Sequence, residues 1–168
     1  MNNKQEYTID LDALANLFRK DHKYYKGRFI KLWNDIESLF ITGKMISHAE
    51  VLREIKGNNG DKDELYLWSV RNKEYFLPDY GPSEQAVIAG ISILSEKFSN
   101  AKTKSQHADP WIIAQAKIKN LTVVTEEVCK GPMVNPDKYG IPDICTRLNP
   151  KVNCINLRKL IDIENWVY

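Results

Sequence analysis

The five residues "LTVVT", Leu121 to Thr125, constrain the fold more than any other stretch. A β-branched run that is apolar on both faces belongs in the middle of a parallel sheet, covered above and below by helices. The rest of the chain supplies such cover. "YTI" (Tyr7 to Ile9) is another β-branched run and ends at Asp10. Leu14, Leu17 and Phe18 follow at helical spacing. "RFIKLWNDIESLFITGK" aligns Phe29, Leu32, Trp33, Ile36, Leu39 and Phe40 on one helical face and stops near Gly43. "KMIS" (Lys44 to Ser47) reads as a short strand. "SHAEVLREIKG" reads as a helix capped by Ser47 and closed at Gly57. "DKDELYLWSVRNKEYF" and "PSEQAVIAGISILSEKFSN" give two more helices. Asp109 with Pro110 opens another, reaching about Asn120, because proline at a helix start sacrifices no bonded N–H. A loop, "CKGPMVNPDKYGIPD", then a strand, "KVNCINL", and a terminal helical turn or two, "RKLIDIENW", complete the chain. Short strands alternating with longer helices predict an α/β sandwich around a mainly parallel sheet.

No repeat and no Gly/Ser- or Pro-rich linker interrupts the 168 residues, so residues 1–168 read as a single domain. With 43% hydrophobic and 27% charged residues the chain can bury a core and is not a disordered segment. No apolar run reaches the length of a membrane span, and "MNNKQEYTID" lacks the apolar stretch of a signal peptide, so a cytoplasmic protein is expected. Cys129, Cys145 and Cys154 form no CxxC pair and are odd in number, which favours reduced thiols over a zinc site or disulfide framework.

In open parallel sheets, ligands collect beyond the carboxyl ends of the strands. Several acids are placed to reach that edge. Asp10 ends the first strand, Glu50 lies in the first turn of the helix after the second, Asp109 begins the helix before "LTVVT", and Glu126 and Glu127 follow that strand directly. Asp12 and Asp143 are secondary candidates. Each has a plainer reading as well: Ser47-x-x-Glu50 is also a capping box, Asp109 is also a good helix cap, and Glu126 and Glu127 also suit a solvated loop. Converging carboxylates repel one another, and a hard divalent ion such as magnesium or manganese resolves the conflict. Two such ions about 3.5–4 Å apart are a recurrent device for cutting phosphodiesters without a protein nucleophile.

The pattern resembles the PIN-domain family of metal-dependent ribonucleases. Asp10 in "YTIDLDAL", Glu50 in "ISHAEVLREI", Asp109 in "ADPWIIAQA" and Glu126 or Glu127 in "LTVVTEE" correspond to that family's four acids. More narrowly the chain is similar to a PIN-like family of uncharacterised proteins, DUF4411. "YTID", "RKDHKYY", "LWNDIESLFITGKMISHAEVLREI", "ADPWIIAQAK", "VVTEE", "IPDICTRL" and "CINL" carry the likeness in order along nearly the whole chain. The resemblance implies a PIN-like three-layer sandwich and an endoribonuclease using Mg2+ or Mn2+. It further implies the toxin of a toxin–antitoxin pair, similar to the VapC group, with an antitoxin and a second copy as partners. Asp10, Glu50, Asp109 and Glu126 are the implied metal ligands, with Glu127, Asp143 and Asp12 as alternatives. Two departures stand out. Asp10-Leu11-Asp12 lacks the hydroxyl residue usual after the first aspartate, and the fourth acid is a glutamate instead of an aspartate.

"RKDHKYYKGRFIK" interleaves cations with aromatic rings. Arg19, Lys20, Lys23, Lys26 and Arg28 can neutralise phosphates, and Tyr24 and Tyr25 can stack on unpaired bases. A second basic stretch, "NAKTKSQH", brings Lys104 close to Asp109 in sequence. Two other readings remain. One is a non-catalytic PIN-like module that binds RNA or protein. The other is a haloacid-dehalogenase-like phosphatase with Asp10 as nucleophile, since Asp-x-Asp after an apolar strand also opens that chemistry.

Overall fold

The computed structural model describes residues 4–58, 63–78, 81–98 and 108–168. Five short strands, β1 (Tyr7–Ile9), β2 (Met45–His48), β3 (Phe76–Leu77), β4 (Thr122–Val124) and β5 (Cys154–Ile155), form one sheet in the order β3-β2-β1-β4-β5. Every pairing is parallel, with Ile9 opposite Val124 and Thr8 opposite Ile46. Between the strands lie α1 (Leu11–Phe18), α2 (Ile30–Ile41), α3 (Ala49–Asn58), α4 (Glu64–Arg71), α5 (Pro82–Leu94), α6 (Asp109–Lys119) and α7 (Ile141–Arg147), with α8 (Leu157–Ile163) last.

The connections through α1 to α4 step outward from β1 in one direction. Those through α5 to α7 return across the sheet and step the other way. Right-handed crossovers therefore place the two groups on opposite faces. The packing agrees, with α1 against α3 and α4, and α6 against α5, α7, β1, β2 and β4. The result is a three-layer α/β sandwich. Ile9, Val123 and Val124, each fully buried, occupy its centre, as their apolar runs require. A cluster of Phe18, Trp33, Phe40 and Trp68 fills the α1–α4 layer.

Two elements escape the sequence reading. The stretch after α4 breaks into a short 3-10 turn and β3, whose two residues are too few to show a period. The end of the expected loop, Ile141 to Asp143, instead opens α7, started by Pro142 in its first turn and by Asp143, which accepts the Gly140 N–H at 3.0 Å. Beneath the sheet a buried polar chain ties α6 to β1 and β2. Thr8 donates to Gln115 Oε1 at 2.5 Å, Gln115 donates to the Ser47 carbonyl at 3.2 Å, and Ser47 donates to the Ile9 carbonyl at 2.7 Å. Gln115→Ala strands the Thr8 hydroxyl and the Ser47 carbonyl. It is expected to cost about 1–3 kcal/mol, read as a lower denaturant midpoint at unchanged slope.

Candidate metal centre

The crossovers diverge between β1 and β4, which makes the carboxyl ends of these neighbours the natural ligand position of the sheet. Asp10 follows β1 directly, and its N–H donates to the Val124 carbonyl of β4 at 3.0 Å. A cleft of about 240 Å3 opens there, lined by Asp10, Leu11, Asp12, Ala15, Glu54, Asp109 and Glu127. Five of the seven are acids.

Each acid arrives by a different local rule. Asp10 is the N-cap of α1: its Oδ1 accepts the Ala13 N–H at 2.9 Å, and its second oxygen is left out of the cap. The Thr125 hydroxyl also bonds the Asp10 carboxylate and accepts the Glu127 N–H at 3.1 Å, joining two of the acids through the end of β4. This hydroxyl is the kind of group that Leu11 cannot supply. Asp109 is the first residue of α6, and Ala108 takes the cap position with no side-chain cap bond. The cap expected of Asp109 is thus not made, while the strand-end Asp10 caps the helix that follows it.

Glu54, absent from the sequence candidates, comes from α3. Val51 and Ile55 are buried and mark the inward face of that helix, which Glu54 shares. A carboxylate beside that apolar stripe was the signal available. Glu50 lies one turn earlier. It is ion-paired with Arg53 and does not line the cleft. Its backbone N–H donates to His48 Nδ1, so the Ser47–Glu50 capping box is not formed as read. Of the two consecutive glutamates, Glu127 enters the cleft. Its Oε2 also accepts the Ile141 N–H at 2.6 Å and lies where a Cβ on Gly140 would strike it. Glu126 turns the other way, and its Oε1 accepts the Leu157 N–H at 2.8 Å at the start of α8. Asp143 is fully buried away from the cleft, where it accepts from Lys130, Gly131 and Gly140 N–H groups; these bonds hold its carboxyl below the usual range. Asp12 is exposed at the rim.

The crowding has an electrostatic consequence. Burial, followed by the neighbouring Asp12 and Glu127 charges, pushes Asp10 up to about 7 against the pull of its Thr125 and Ala13 bonds. Burial and the charges of Glu127, Asp10 and Glu54 push Asp109 up to about 8, with Lys97 as a partial offset. Without a counter-charge the native chain therefore holds protons here that free carboxyls would release. An all-carboxylate donor set suits a hard cation such as Mg2+ or Mn2+ and not zinc. Among the described residues no three His, Cys, Asp or Glu side chains already close on one point as a metal cage.

The basic segment divides. A second cleft of about 370 Å3 holds Phe18, Arg19 and Lys20 against Asp63, Glu64 and Leu65, and it shares Ala15 with the acidic one. Arg19 pairs with Asp21 in an exposed contact. Lys26 pairs with Glu64 at 3.3 Å and lies over the Phe18 and Trp33 rings, which makes it part of the packing. Tyr24 packs against the core under Lys23, Tyr25 is half-buried, and Arg28 is exposed. Lys104 lies outside the described residues. Cys129, Cys145 and Cys154 are free thiols. Among the described residues no helix is long and apolar enough to cross a membrane.

Fold and site together define a parallel α/β domain with an acid-lined cleft at the point where its crossovers diverge. The chain belongs to DUF4411, a domain of unknown function, whose family model matches residues 7–168. No curated protein and no solved structure matches it.

Proposed function

We propose that this protein is a divalent-metal-dependent endoribonuclease of PIN type. The observation that carries the reading is the meeting of Asp10, Glu54, Asp109 and Glu127 around one cleft at the carboxyl ends of β1 and β4. Two of these acids are held well above the carboxylate range. Asp10, Asp109, Glu54 and Glu127 would hold the ion, with Asp12 at the rim. Bound there, Mg2+ or Mn2+ supplies a more acidic water and neutralises charge on a phosphodiester. The chain's own part is to release the protons of Asp10 and Asp109 as the ion enters. It keeps Asp10 in place through Ala13 and Thr125, and draws the flanking RNA backbone along α1 toward Arg19 and Lys20. Resemblance to the VapC group extends the reading to a toxin with an antitoxin partner and a homodimeric form.

The phosphatase reading is weaker here. A phosphoryl group on Asp10 would sit among Glu54, Asp109 and Glu127, and among the described residues no lysine or arginine lines the cleft. Calorimetric titration with manganese tests the proposal. The wild-type chain should bind Mn2+, and Asp10→Asn should weaken binding roughly tenfold or more. A wild-type chain that takes up no manganese at millimolar concentration sinks the nuclease reading and leaves the non-catalytic module.

A further inference from the structure

The last residue of β2, His48, is 1% exposed and touches four elements. In the sheet it stands opposite Leu77 of β3. Its Nδ1 accepts the Glu50 N–H at 3.0 Å, in the first turn of α3. Because Nδ1 accepts, the ring proton is on Nε2. That nitrogen lies 3.2 Å from Oε1 of Glu84, a fully buried residue in the first turn of α5, in a contact not aligned as a hydrogen bond. The imidazole face stacks on Trp111 of α6, with centroids 5.4 Å apart and planes at 25°.

Burying two polar side chains against one another is expensive, and an apolar pair of the same size commonly packs with no loss of stability. The ring's direction is set by its Nδ1 bond to the Glu50 N–H and its stack on Trp111, with Glu84 packed at its far edge. That ring lies where direction matters to the cleft. Glu54 is one turn beyond Glu50, whose N–H His48 accepts, and Asp109 is two residues before the tryptophan on which the ring stacks. Gln115 already anchors the middle of α6 to the sheet. His48 touches the end of α6 that carries the acid.

We infer that His48, bonded to the first turn of α3, stacked on Trp111 and packed against Glu84, is a positioning residue that sets α3 and α6 relative to one another and so fixes the separation of Glu54 and Asp109. Its effect on metal affinity rests on the nuclease reading; its effect on helix placement does not. The test uses the full chain with His48→Phe, which keeps a ring on Trp111 but loses both nitrogens, and the near-isosteric Glu84→Gln. Residual dipolar couplings of α3 and α6 amides are measured without metal, and manganese affinity is measured by calorimetry. Both variants should show a changed α3–α6 orientation and roughly tenfold weaker manganese binding with the fold retained. If His48→Phe fails to fold, Glu84→Gln decides the matter. A folded variant with wild-type couplings and wild-type affinity overturns the inference. A wild-type chain that binds no manganese removes the nuclease reading, and the couplings alone then decide whether His48 positions the helices.

Discussion

Under the proposed nuclease function, Asp109→Asn should lower RNA cleavage by about 10²–10³-fold and at the same time make the metal-free protein more stable. The activity loss follows from removing a carboxylate that faces the cleft with no helix to cap, and about 10²–10³-fold is the expected scale for one electrostatic contact to the reacting group. The stability gain follows from proton linkage. An aspartate in the unfolded chain titrates near its ordinary value, whereas native Asp109 holds its proton up to about 8 and native Asp10 up to about 7. Below pH 4 or so both states are protonated and nothing is lost. From there to about pH 8 the unfolded chain has released protons that the native chain retains, so native stability falls as pH rises. Asparagine at 109 removes one of these groups and relieves the other. At pH 8 the metal-free variant should be several kcal/mol more stable than wild type, on the order of 10 °C higher in melting temperature. Manganese should raise the wild-type melting temperature strongly and that of the variant little. Thermal melts from pH 4 to 8, with chelator and with manganese, read all of this. Wild-type stability that does not decline with pH in chelator would falsify the electrostatic account of the cleft, and cleavage that survives both Asp109→Asn and chelator would move the chemistry elsewhere.

The second large effect is a contrast within one helix. Glu54→Gln should weaken manganese binding and RNA cleavage by about 10²-fold, while Glu50→Gln should leave both near wild type. Glu54 is nearly buried on the face of α3 that carries Val51 and Ile55, whereas Glu50 already has Arg53 as its partner. Losing that exposed pair should change stability by less than about 1 kcal/mol. A calorimetric and cleavage comparison of the two variants, each checked for a native melting profile, separates the positions. Equal losses in both would mean that α3 turns differently in the metal-bound protein.

Much of this architecture is legible in the chain. "YTI", "KMIS" and "LTVVT" lie within one residue of β1, β2 and β4, and the Asp109–Pro110 start of α6 is where its punctuation places it. The misses have local causes. The strand signal of "KVNCINL" survives only at Cys154–Ile155, and β3 has no period to detect. The loop around Met133 holds the glycines and prolines that hid α7, although Pro142 and Asp143 are good first-turn residues.

For the site, the sequence by itself determined family membership, the strand and helix ends where acids gather, and Asp10 and Asp109 as two of those acids. Only the tertiary structure decided among neighbours. Glu50 and Glu54 are one turn apart and share a face of α3, so which of them reaches the cleft depends on how far along the sheet edge α3 is seated. Glu126 and Glu127 leave an extended segment on opposite sides, one to start α8 and one toward Asp10. Asp143 spends its oxygens on the loop amides that shape α7. Local spacing places a carboxylate near a sheet edge; packing from distant parts of the chain selects the one that enters the cleft.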